Sequence, residues 1–395
     1  MGPRIQPSTS AQKLESAWAS PRSMRHHRES SSAHPAVRKI AIYLQALLLL
    51  LFCRTTGNAA EFKQDEVGLW ISEIGGTFSR NADGDISEVN LTSTWITDAD
   101  MARLASLRDL EDLNLSYTWI SDLGLEHLQP LENVMRLNLR FVEYISDGGI
   151  AHLKGWKQLR YLNIRGTEVT SAVFEHLAGL TSLESLDVGF SLVNDERFDR
   201  LASLERLHYF AFGGNKLTGR CLPLLRLLPA LTHLDVSGKQ QTDSGKWALE
   251  LNDFNMNSLE VLTGLRSLNV ADMKISDESM KVIRGLTELE TLDLSRTLVS
   301  SAGMKELRTL DSLRDLRLAQ VDGVDDQAVA AFVEMDRLET LDLAETQISD
   351  RSLPDLGRIK NLKKVFVGGS RVTAEGVAEF RRQRPQVQIA WWADK

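Results

Sequence analysis

The chain is 395 residues long, with 43% hydrophobic and 25% charged residues, a composition typical of a folded soluble protein. Its formal net charge of −8 is unevenly distributed: residues 1–59 hold eight basic and two acidic residues, so the remainder carries a net −14. An acidic chain is poorly suited to a phosphate backbone, which excludes nucleic acid as an expected partner.

The first 59 residues have the features of a signal or targeting segment. Residues 1–39 lack apolar periodicity, and residues 40–53 are almost continuously apolar. Fourteen residues are short for a membrane span but suit the apolar part of a secretory signal. The small residues at 57–59 favour cleavage there, whether translation begins at Met1 or Met24. We therefore expect a secreted, periplasmic or cell-envelope protein. A membrane-anchored protein that keeps residues 40–53 is the alternative.

An amphipathic helix is predicted to cap the N-terminal side of the fold within residues 60–82. Val67, Trp70, Ile71 and Ile74 follow the spacing of one helix face, and the pattern ends at a glycine pair. At the other end, residues 386–395 continue the strand pattern of the preceding chain and are predicted to form a C-terminal cap strand.

Between residues 83 and 385 the phrase Leu-x-x-Leu-x-Leu recurs about twelve times, at intervals of 24 or 25 residues with one of 34. A fixed period in this range is typical of a stacked-repeat solenoid. The phrase begins at Ile86, Leu110, Val134, Leu159, Leu183, Leu207, Leu231, Leu265, Leu289, Leu313, Leu338 and Leu362. The long interval contains an insertion near residues 246–255, which we expect to form a longer helix on the outer side.

Each repeat combines an alternating strand pattern with apolar residues at helical spacing. Two polar columns recur between these parts. The first consists of helix-capping residues: Thr97, Ser121, Ser146, Thr170, Asn194, Thr218, Thr242, Ser276, Ser300, Asp325, Ser349 and Thr373. The second consists of small polar residues that we expect to bond backbone groups where each coil bends: Thr94, Thr118, Thr167, Ser191, Asn215, Thr297, Thr346 and Ser370.

The phrase from Leu110 to Leu125, Leu-x-x-Leu-x-Leu-x-x-Thr-x-Ile-Ser-Asp-x-Gly-Leu, resembles the leucine-rich repeat proteins, in particular the 24-residue type of bacterial extracytoplasmic proteins. This resemblance implies an α/β fold: a right-handed solenoid with a parallel concave sheet and short convex helices. The repeats are also similar to those of F-box leucine-rich proteins. Those usually carry Cys where this chain has Thr118, and no F-box precedes the repeats, which disfavours a ubiquitin-ligase adaptor.

Sites for catalysis or metal binding are not indicated. The chain has no Walker glycine loop, nucleophile elbow or His-Glu-x-x-His motif. His127, His152 and His176 recur at one repeat position, but helices 8–10 Å apart hold such side chains too far apart for metal–nitrogen bonds near 2 Å. We therefore expect a non-enzymatic protein with no cofactor and no metal.

Arginine and aromatic residues are concentrated on the predicted concave face of the early repeats. Such residues are enriched at binding hot spots, and we predict a partner-binding patch of Arg136, Arg140, Arg165, Tyr161, Tyr117, Trp119, Trp95 and Phe141. The competing interpretation is that the rings pack on neighbouring coils and the arginines pair with acids. The sequence thus favours an interaction module for a protein or a surface glycan. A membrane-anchored adhesion protein is the alternative.

Overall fold

The computed structural model describes residues 64–242 and 245–393, and residues 1–63 lie outside this described part. The predicted signal at residues 40–53 therefore lies outside it as well. No helix within the described part is both long and apolar enough to cross a membrane. The strands are β1 Thr77–Arg80, β2 Ile86–Asn90, β3 Asp112–Asn114, β4 Arg136–Asn138, β5 Tyr161–Asn163, β6 Ser185–Asp187, β7 Tyr209–Ala211, β8 His233–Asp235, β9 Gln240–Thr242, β10 Gly245–Trp247, β11 Ser267–Asn269, β12 Thr291–Asp293, β13 Asp315–Arg317, β14 Thr340–Asp342, β15 Lys364–Phe366 and β16 Gln388–Ala390.

Short helices connect successive strands. The α-helices are α1 Gln64–Glu73, α2 Asp98–Leu104, α3 Asp122–Leu128, α4 Asp147–Ala151, α5 Val173–Leu177, α6 Met280–Ile283, α7 Asp326–Phe332, α8 Leu353–Arg358 and α9 Ala374–Gln383. The 3₁₀ helices are His152–Gly155, Phe198–Ser203, Leu222–Leu227, Met256–Leu259, Gly303–Thr309 and Asp350–Ser352. The predicted solenoid of parallel strands and short helices is confirmed.

One sheet of 14 strands runs through the described part, in the order of the chain apart from the β9–β10 hairpin. From β2 onward its strands are parallel and in register, so that Leu113 pairs with Leu137 and Asn114 with Asn138. In most of the parallel strands the middle residue is buried and the flanking two are more exposed, whereas in β7 Ala211 is buried as well. Because the register equals the repeat, side chains at equivalent positions form continuous columns along the solenoid.

The leucine and isoleucine positions of the repeat form one continuous hydrophobic core. Each coil buries its strand leucines, the isoleucine before the helix and the apolar helix residues, many of them completely. A coil alone exposes this apolar stripe, so stacking is what removes it from water. The aromatic residues Phe174, Phe198 and Phe212 fill the middle of this core with edge-to-face contacts.

The predicted column of small polar residues is confirmed where each coil bends. The hydroxyls of Thr118 and Thr297 each donate to the carbonyl three residues earlier, at 2.6 Å. Asn215 donates through its amide to two carbonyls, including that of Val188 in the preceding coil (2.9 Å). These side chains are almost completely buried, so each satisfies a carbonyl that water cannot reach.

A second set of bonds, which we call the aspartate ladder, joins each coil to the next. The aspartate that follows the capping residue accepts the amide N–H of the capping residue one coil later, at 2.6 to 3.0 Å. In most coils it also accepts the hydroxyl of that capping residue. The ladder comprises Asp98, Asp122, Asp147, Asp195, Asp253, Asp277, Asp326 and Asp350.

Three carboxylates of the ladder have a pKa below the usual range of an aspartate. Burial alone would raise the pKa of Asp326, but hydrogen bonds from the hydroxyl of Ser352 and from Ser349 outweigh it, and the pKa lies below its usual range. The same balance lowers the pKa of Asp195 and Asp253. Charge-assisted bonds of this kind are stronger than neutral ones, so the ladder is a main source of cohesion between coils.

In two steps of the ladder the hydroxyl belongs to the preceding coil and the acceptor oxygen to the next one. Ser301 stands at the aspartate position, and its hydroxyl donates to the carboxylate of Asp325 in the next coil (2.6 Å) while accepting the Asp325 amide (3.0 Å). Ser171 and Asn194 form an equivalent pair. The step between coils therefore needs one hydroxyl and one carbonyl or carboxylate oxygen, in either order.

The 34-residue interval differs from its prediction. We expected a longer outer helix, but β9 and β10 form an antiparallel hairpin inserted before the capping column. Thr242 accordingly lies in the hairpin, and its assignment as a capping residue is wrong. Asn252 holds that place, accepting the amide of Phe254 (2.9 Å), and the next residue, Asp253, resumes the aspartate ladder.

The two ends of the solenoid differ from its middle. The helix α1 ends at Glu73, within residues 60–82, and the same stretch also contains β1, which pairs antiparallel with β2. The prediction of a cap made of a helix alone is therefore incomplete. At the other end, β16 adds a last parallel strand to β15, and Trp391 Nε1–H donates to the carbonyl of Val372 (2.8 Å).

We predict that exchanging the two residues of a ladder step restores the stability that one substitution removes. Asp277→Ser should lower the free energy of unfolding by about 2 kcal/mol, because the amide and hydroxyl of Ser300 lose a charged acceptor. Adding Ser300→Asp recreates the Ser301–Asp325 arrangement and should recover most of this loss. Urea unfolding followed by circular dichroism measures both. Equal midpoints for the single and double variants would contradict the role of the pair.

Candidate functional site

We use the term sheet face for the surface formed by the first and third residues of the parallel strands and by the turn residues two positions beyond them. The third strand residues are mostly Asn or Asp, and their side chains accept the amide N–H two residues later, as in Asn138 to Arg140 (3.1 Å) and Asp235 to Ser237 (2.9 Å). Such turns are a standard use of Asn and Asp. This column is therefore part of the scaffold, although it lies on the exposed face.

The position two residues beyond each strand distinguishes two coils from all others. It holds Arg140 and Arg165 in consecutive coils. In the other coils from β2 to β15 it holds only small residues: Thr92, Ser116, Gly189, Gly213, Ser237, Ala271, Ser295, Ala319, Ala344 and Gly368. Beyond the last strand, β16, it holds Trp392. Space is limited there, since a Cβ on Gly213 would lie 1.9 Å from the Ser237 carbonyl oxygen. Two long cations in this column are an exception that the repeat does not require.

Arg165 is held within the scaffold. Its guanidinium stacks 4.3 Å from the ring centre of Phe190 and lies 3.5 Å from Asp187 Oδ1. The Arg165 side chain is only 19% exposed. Burial raises the pKa of Asp187 while Arg165 opposes this shift. Arg165 therefore neutralises a buried acid and covers Gly189, as the competing interpretation of the sequence expected for these arginines.

Arg136 also has an acidic partner but is more open. Its Nε lies 3.0 Å from Asp112 Oδ2, and its guanidinium lies 4.2 Å from the ring centre of Tyr161 in the next strand. Its side chain is 55% exposed. Asp112 and Arg136 occupy the same strand position in consecutive coils, so the repeat register brings them together. The sequence analysis missed this acid, although the period alone would have identified it.

Arg140 differs from both. Its guanidinium lies 5.3 Å from the ring centre of Phe141 and 5.9 Å from that of Tyr117. Its Nε is buried and has no hydrogen-bond acceptor within the described chain. Buried polar atoms in proteins are nearly always paired, and an exception calls for an explanation such as a bound group or water. Arg140 is thus the arginine of the patch that has no described carboxylate at ion-pair distance, although its charge, like that of Arg165, opposes the rise in the pKa of the nearby Asp187.

Tyr117, Phe141 and Phe190 share a backbone feature that the sequence analysis missed. They occupy one turn position with φ of 58°, 53° and 55°, in the left-handed region that favours glycine. The same position holds Gly166 and Gly214, and the rings of Phe141 and Phe190 lie against these glycines. Tyr117 and Phe141 also contact each other, with ring centres 5.3 Å apart. The rings therefore pack on neighbouring coils.

The remaining predicted residues lie beside this cluster, where the chain leaves the sheet. Trp95 is 86% exposed and Trp119 is 46% exposed. Trp119 contacts Tyr144 of the next coil, with ring centres 6.2 Å apart. The predicted patch thus resolves into an arginine cluster on the sheet face, defined as Arg136, Arg140, Arg165, Tyr161, Tyr117 and Phe141, and an aromatic edge, defined as Trp95, Trp119 and Tyr144.

A shallow depression of about 200 Å³ lies further along the sheet face, bordered by Tyr209, His233, Asp235, Asp293 and Arg317, among others. Burial and the neighbouring Asp187 and Asp235 raise the pKa of Tyr209 to about 12.

Burial and the nearby His208 lower the pKa of His233. Tyr209 and His233 are thus both neutral near pH 7. Arg317 bonds Asp315 (3.2 Å) and lies 3.9 Å from Asp293 Oδ2, so this arginine is already paired with acids of the chain.

Comparisons with known proteins agree with the fold. A family model described as Leucine Rich repeat matches residues 106–128. The structure is similar to an internalin from Listeria monocytogenes, with a TM-score of 0.56 and 16% identity over 85% of this chain and 96% of that chain. A leucine-rich repeat protein from Leptospira interrogans gives 0.48 and 17%, over 73% and 80%. No curated protein matches the sequence.

These findings agree on the fold, which is the leucine-rich repeat solenoid that the sequence predicted.

We predict that glycine substitutions at two left-handed turn positions have different effects on stability, because only one of the two replaced side chains packs against a neighbouring ring. Gln320 occupies the same turn position with φ of 57° but carries no ring. Gln320→Gly should leave the free energy of unfolding unchanged or raise it by up to about 1 kcal/mol, since glycine relieves the strained backbone. Tyr117→Gly should lower it by about 1 kcal/mol, because the contact with Phe141 is lost. Urea unfolding of both variants checks this. Equal effects would mean that the Tyr117 ring contributes no packing.

Proposed function

We propose that this protein is a non-enzymatic interaction module that binds a macromolecular partner, namely another protein, on the sheet face of its early coils. The observation that carries the proposal is the pair Arg140 and Arg165 at a position that holds small residues in the other coils from β2 to β15. Together with the neighbouring rings, this arrangement has the composition of a binding hot spot. A rigid sheet also presents these groups with little ordering cost on association.

The leucine-rich repeat fold supports this reading, because repeat solenoids commonly serve as extended binding surfaces. The same support extends to a non-enzymatic role. Thirteen parallel strands from β2 to β16, with about 4.8 Å between neighbours, make a surface roughly 60 Å long. A surface of that length suits a macromolecule better than a metabolite.

We further propose that the protein acts outside the cytoplasm, as the apolar segment at residues 40–53 and the small residues at 57–59 suggest. Retention of that segment would instead make it a membrane-anchored surface protein.

We predict that reversing the charge of the two arginines other than Arg165 abolishes partner capture without unfolding the chain. The double variant Arg136→Glu/Arg140→Glu leaves Arg165 in place, since Arg165 neutralises the buried Asp187. A matched control is Lys364→Glu/Arg337→Glu. Lys364 holds the strand position of Arg136 in a late coil and stacks 4.4 Å from Phe366.

Affinity capture from native extract by the purified full chain, with the bound proteins identified by mass spectrometry, provides the measurement. The partner should be lost with the first variant and retained with the control, while both keep the wild-type melting curve. Capture that survives in the first variant would refute the arginine cluster as the binding surface.

We predict that N-terminal sequencing of the protein from fractionated cells gives a mature start near Glu61 in the extracytoplasmic fraction. A chain that retains residues 40–53 in the membrane fraction would support the anchored alternative. A full-length chain in the cytosol would contradict both locations and would reopen an intracellular adaptor role.

A further inference from the structure

The three arginines of the arginine cluster are not equivalent. Arg136 and Arg165 each have a carboxylate within 3.5 Å, whereas no ion pair within 4 Å joins Arg140 to any described residue. Further along the same face Arg296 and Arg317 are also paired, with Asp272 (2.7 Å) and Asp315 (3.2 Å). Arg140 therefore stands apart from the other arginines of the sheet face that have been described.

We propose that Arg140 is the receptor for a single carboxylate, supplied by an acidic residue of an extended polypeptide that lies across β3 to β6. The inference rests on the proposed function and gives its partner a chemistry. The guanidinium is a planar, permanently charged donor whose geometry matches a carboxylate. A ligand carboxylate beside Arg140 would supply the acidic partner that the described chain does not place within 4 Å of this guanidinium.

The local charge balance selects one carboxylate over a polyanion. The three guanidinium groups of the cluster face two acids, Asp112 and Asp187, which leaves one positive charge. Beyond the cluster the sheet face carries Asp235, Asp293 and Asp342, and residues 60–395 have a net charge of −14. A phosphate chain or other polyanion that extends beyond the cluster would be repelled by these carboxylates. A polypeptide with one well-placed acid would not.

The backbone of Arg140 is fixed before any partner arrives. Its amide donates to Asn138 Oδ1 (3.1 Å), and its carbonyl accepts the amide of Tyr117 (2.9 Å). The rings of Tyr117 and Phe141 border the guanidinium and restrict its rotamers. Because less side-chain freedom is lost on binding, a single charge-assisted bond at this position is used efficiently.

The test begins with a random decapeptide library displayed on phage and selected on the immobilised full chain. We expect the retained pool to be enriched in Asp and Glu. One enriched acidic peptide is then synthesised with a fluorescent label, together with the same peptide carrying Gln in place of its acidic residue. Fluorescence anisotropy gives the affinity of each peptide for wild type, Arg140→Gln, Arg140→Lys and the charge-matched control Arg337→Gln.

The expected result is a coupling between the two partners. Arg140→Gln should weaken the acidic peptide about 10-fold or more, the size expected for one charge-assisted hydrogen bond. The Gln peptide should bind wild type with a similar loss, and Arg140→Gln should not distinguish the two peptides. Arg140→Lys should fall in between, because it keeps the charge without the fork, and Arg337→Gln should match wild type.

The opposing outcomes are distinct. If Arg140→Gln weakened the acidic peptide and the Gln peptide by the same factor relative to wild type, Arg140 would be a structural residue and not a carboxylate receptor. The selection could instead enrich peptides without acidic residues that bind wild type but not Arg136→Glu/Arg140→Glu. This result would refute the claim that Arg140 binds a carboxylate and would leave the proposed function supported. Peptides that bind that double variant unchanged would count against both. A selection that enriches no peptide would also overturn the inference, and the capture experiment then decides the proposed function separately.

Discussion

The structure depends on how each coil satisfies its backbone amides where the chain turns from strand to helix. A turn buried between coils cannot pair these groups with water, and leaving them unpaired would cost more than a typical hydrogen bond contributes. The aspartate ladder solves this between coils, with the carboxylate of Asp277 accepting two donors from Ser300. Because the acceptor belongs to the preceding coil, stacking and local folding are completed by the same bonds.

That constraint explains where the repeat tolerates change. The extra residues of the long interval form the β9–β10 hairpin ahead of the capping position, and Asn252 with Asp253 then resumes the ladder. An insertion that displaced Asp253 from the position next to the capping residue would have removed the acceptor of the Ser276 amide and broken a step between coils. Likewise Ser301 and Asp325 exchange roles without a break, because the step needs only a hydroxyl and an acceptor oxygen.

Much of this architecture was accessible from the sequence, because its determinants are periodic. The leucines, the capping residues and the row containing Thr118 repeat every 24 or 25 residues, and local rules on strands and caps translate them into elements. The function of the ladder aspartates was not, since their partners lie 23 residues away in another coil. The hairpin was missed because an insertion interrupts the very period from which the prediction was made.

The candidate site divides in the same way. That Arg136 faces Asp112 follows from register alone, so the repeat could have predicted it. The left-handed backbone of Tyr117 could not be read from the residue type, since tyrosine rarely adopts it. Nor could the sequence separate Arg140 from Arg165, which occupy the same column. Only side-chain contacts distinguish them: Arg165 has a buried acid and a ring to cover, and Arg140 has rings alone.

An acidic solenoid with a few arginines on its sheet face can use them in two ways. Those directed at the chain's own acids, as Arg165 is at Asp187, lower the cost of burying charge and belong to the fold. One without a described carboxylate at ion-pair distance, as Arg140 is, retains a guanidinium that can pair with an acid of a partner. Net charge then works in favour of specificity: the surrounding carboxylates repel polyanions, so the field near Arg140 admits only a ligand whose negative charge is confined to that position.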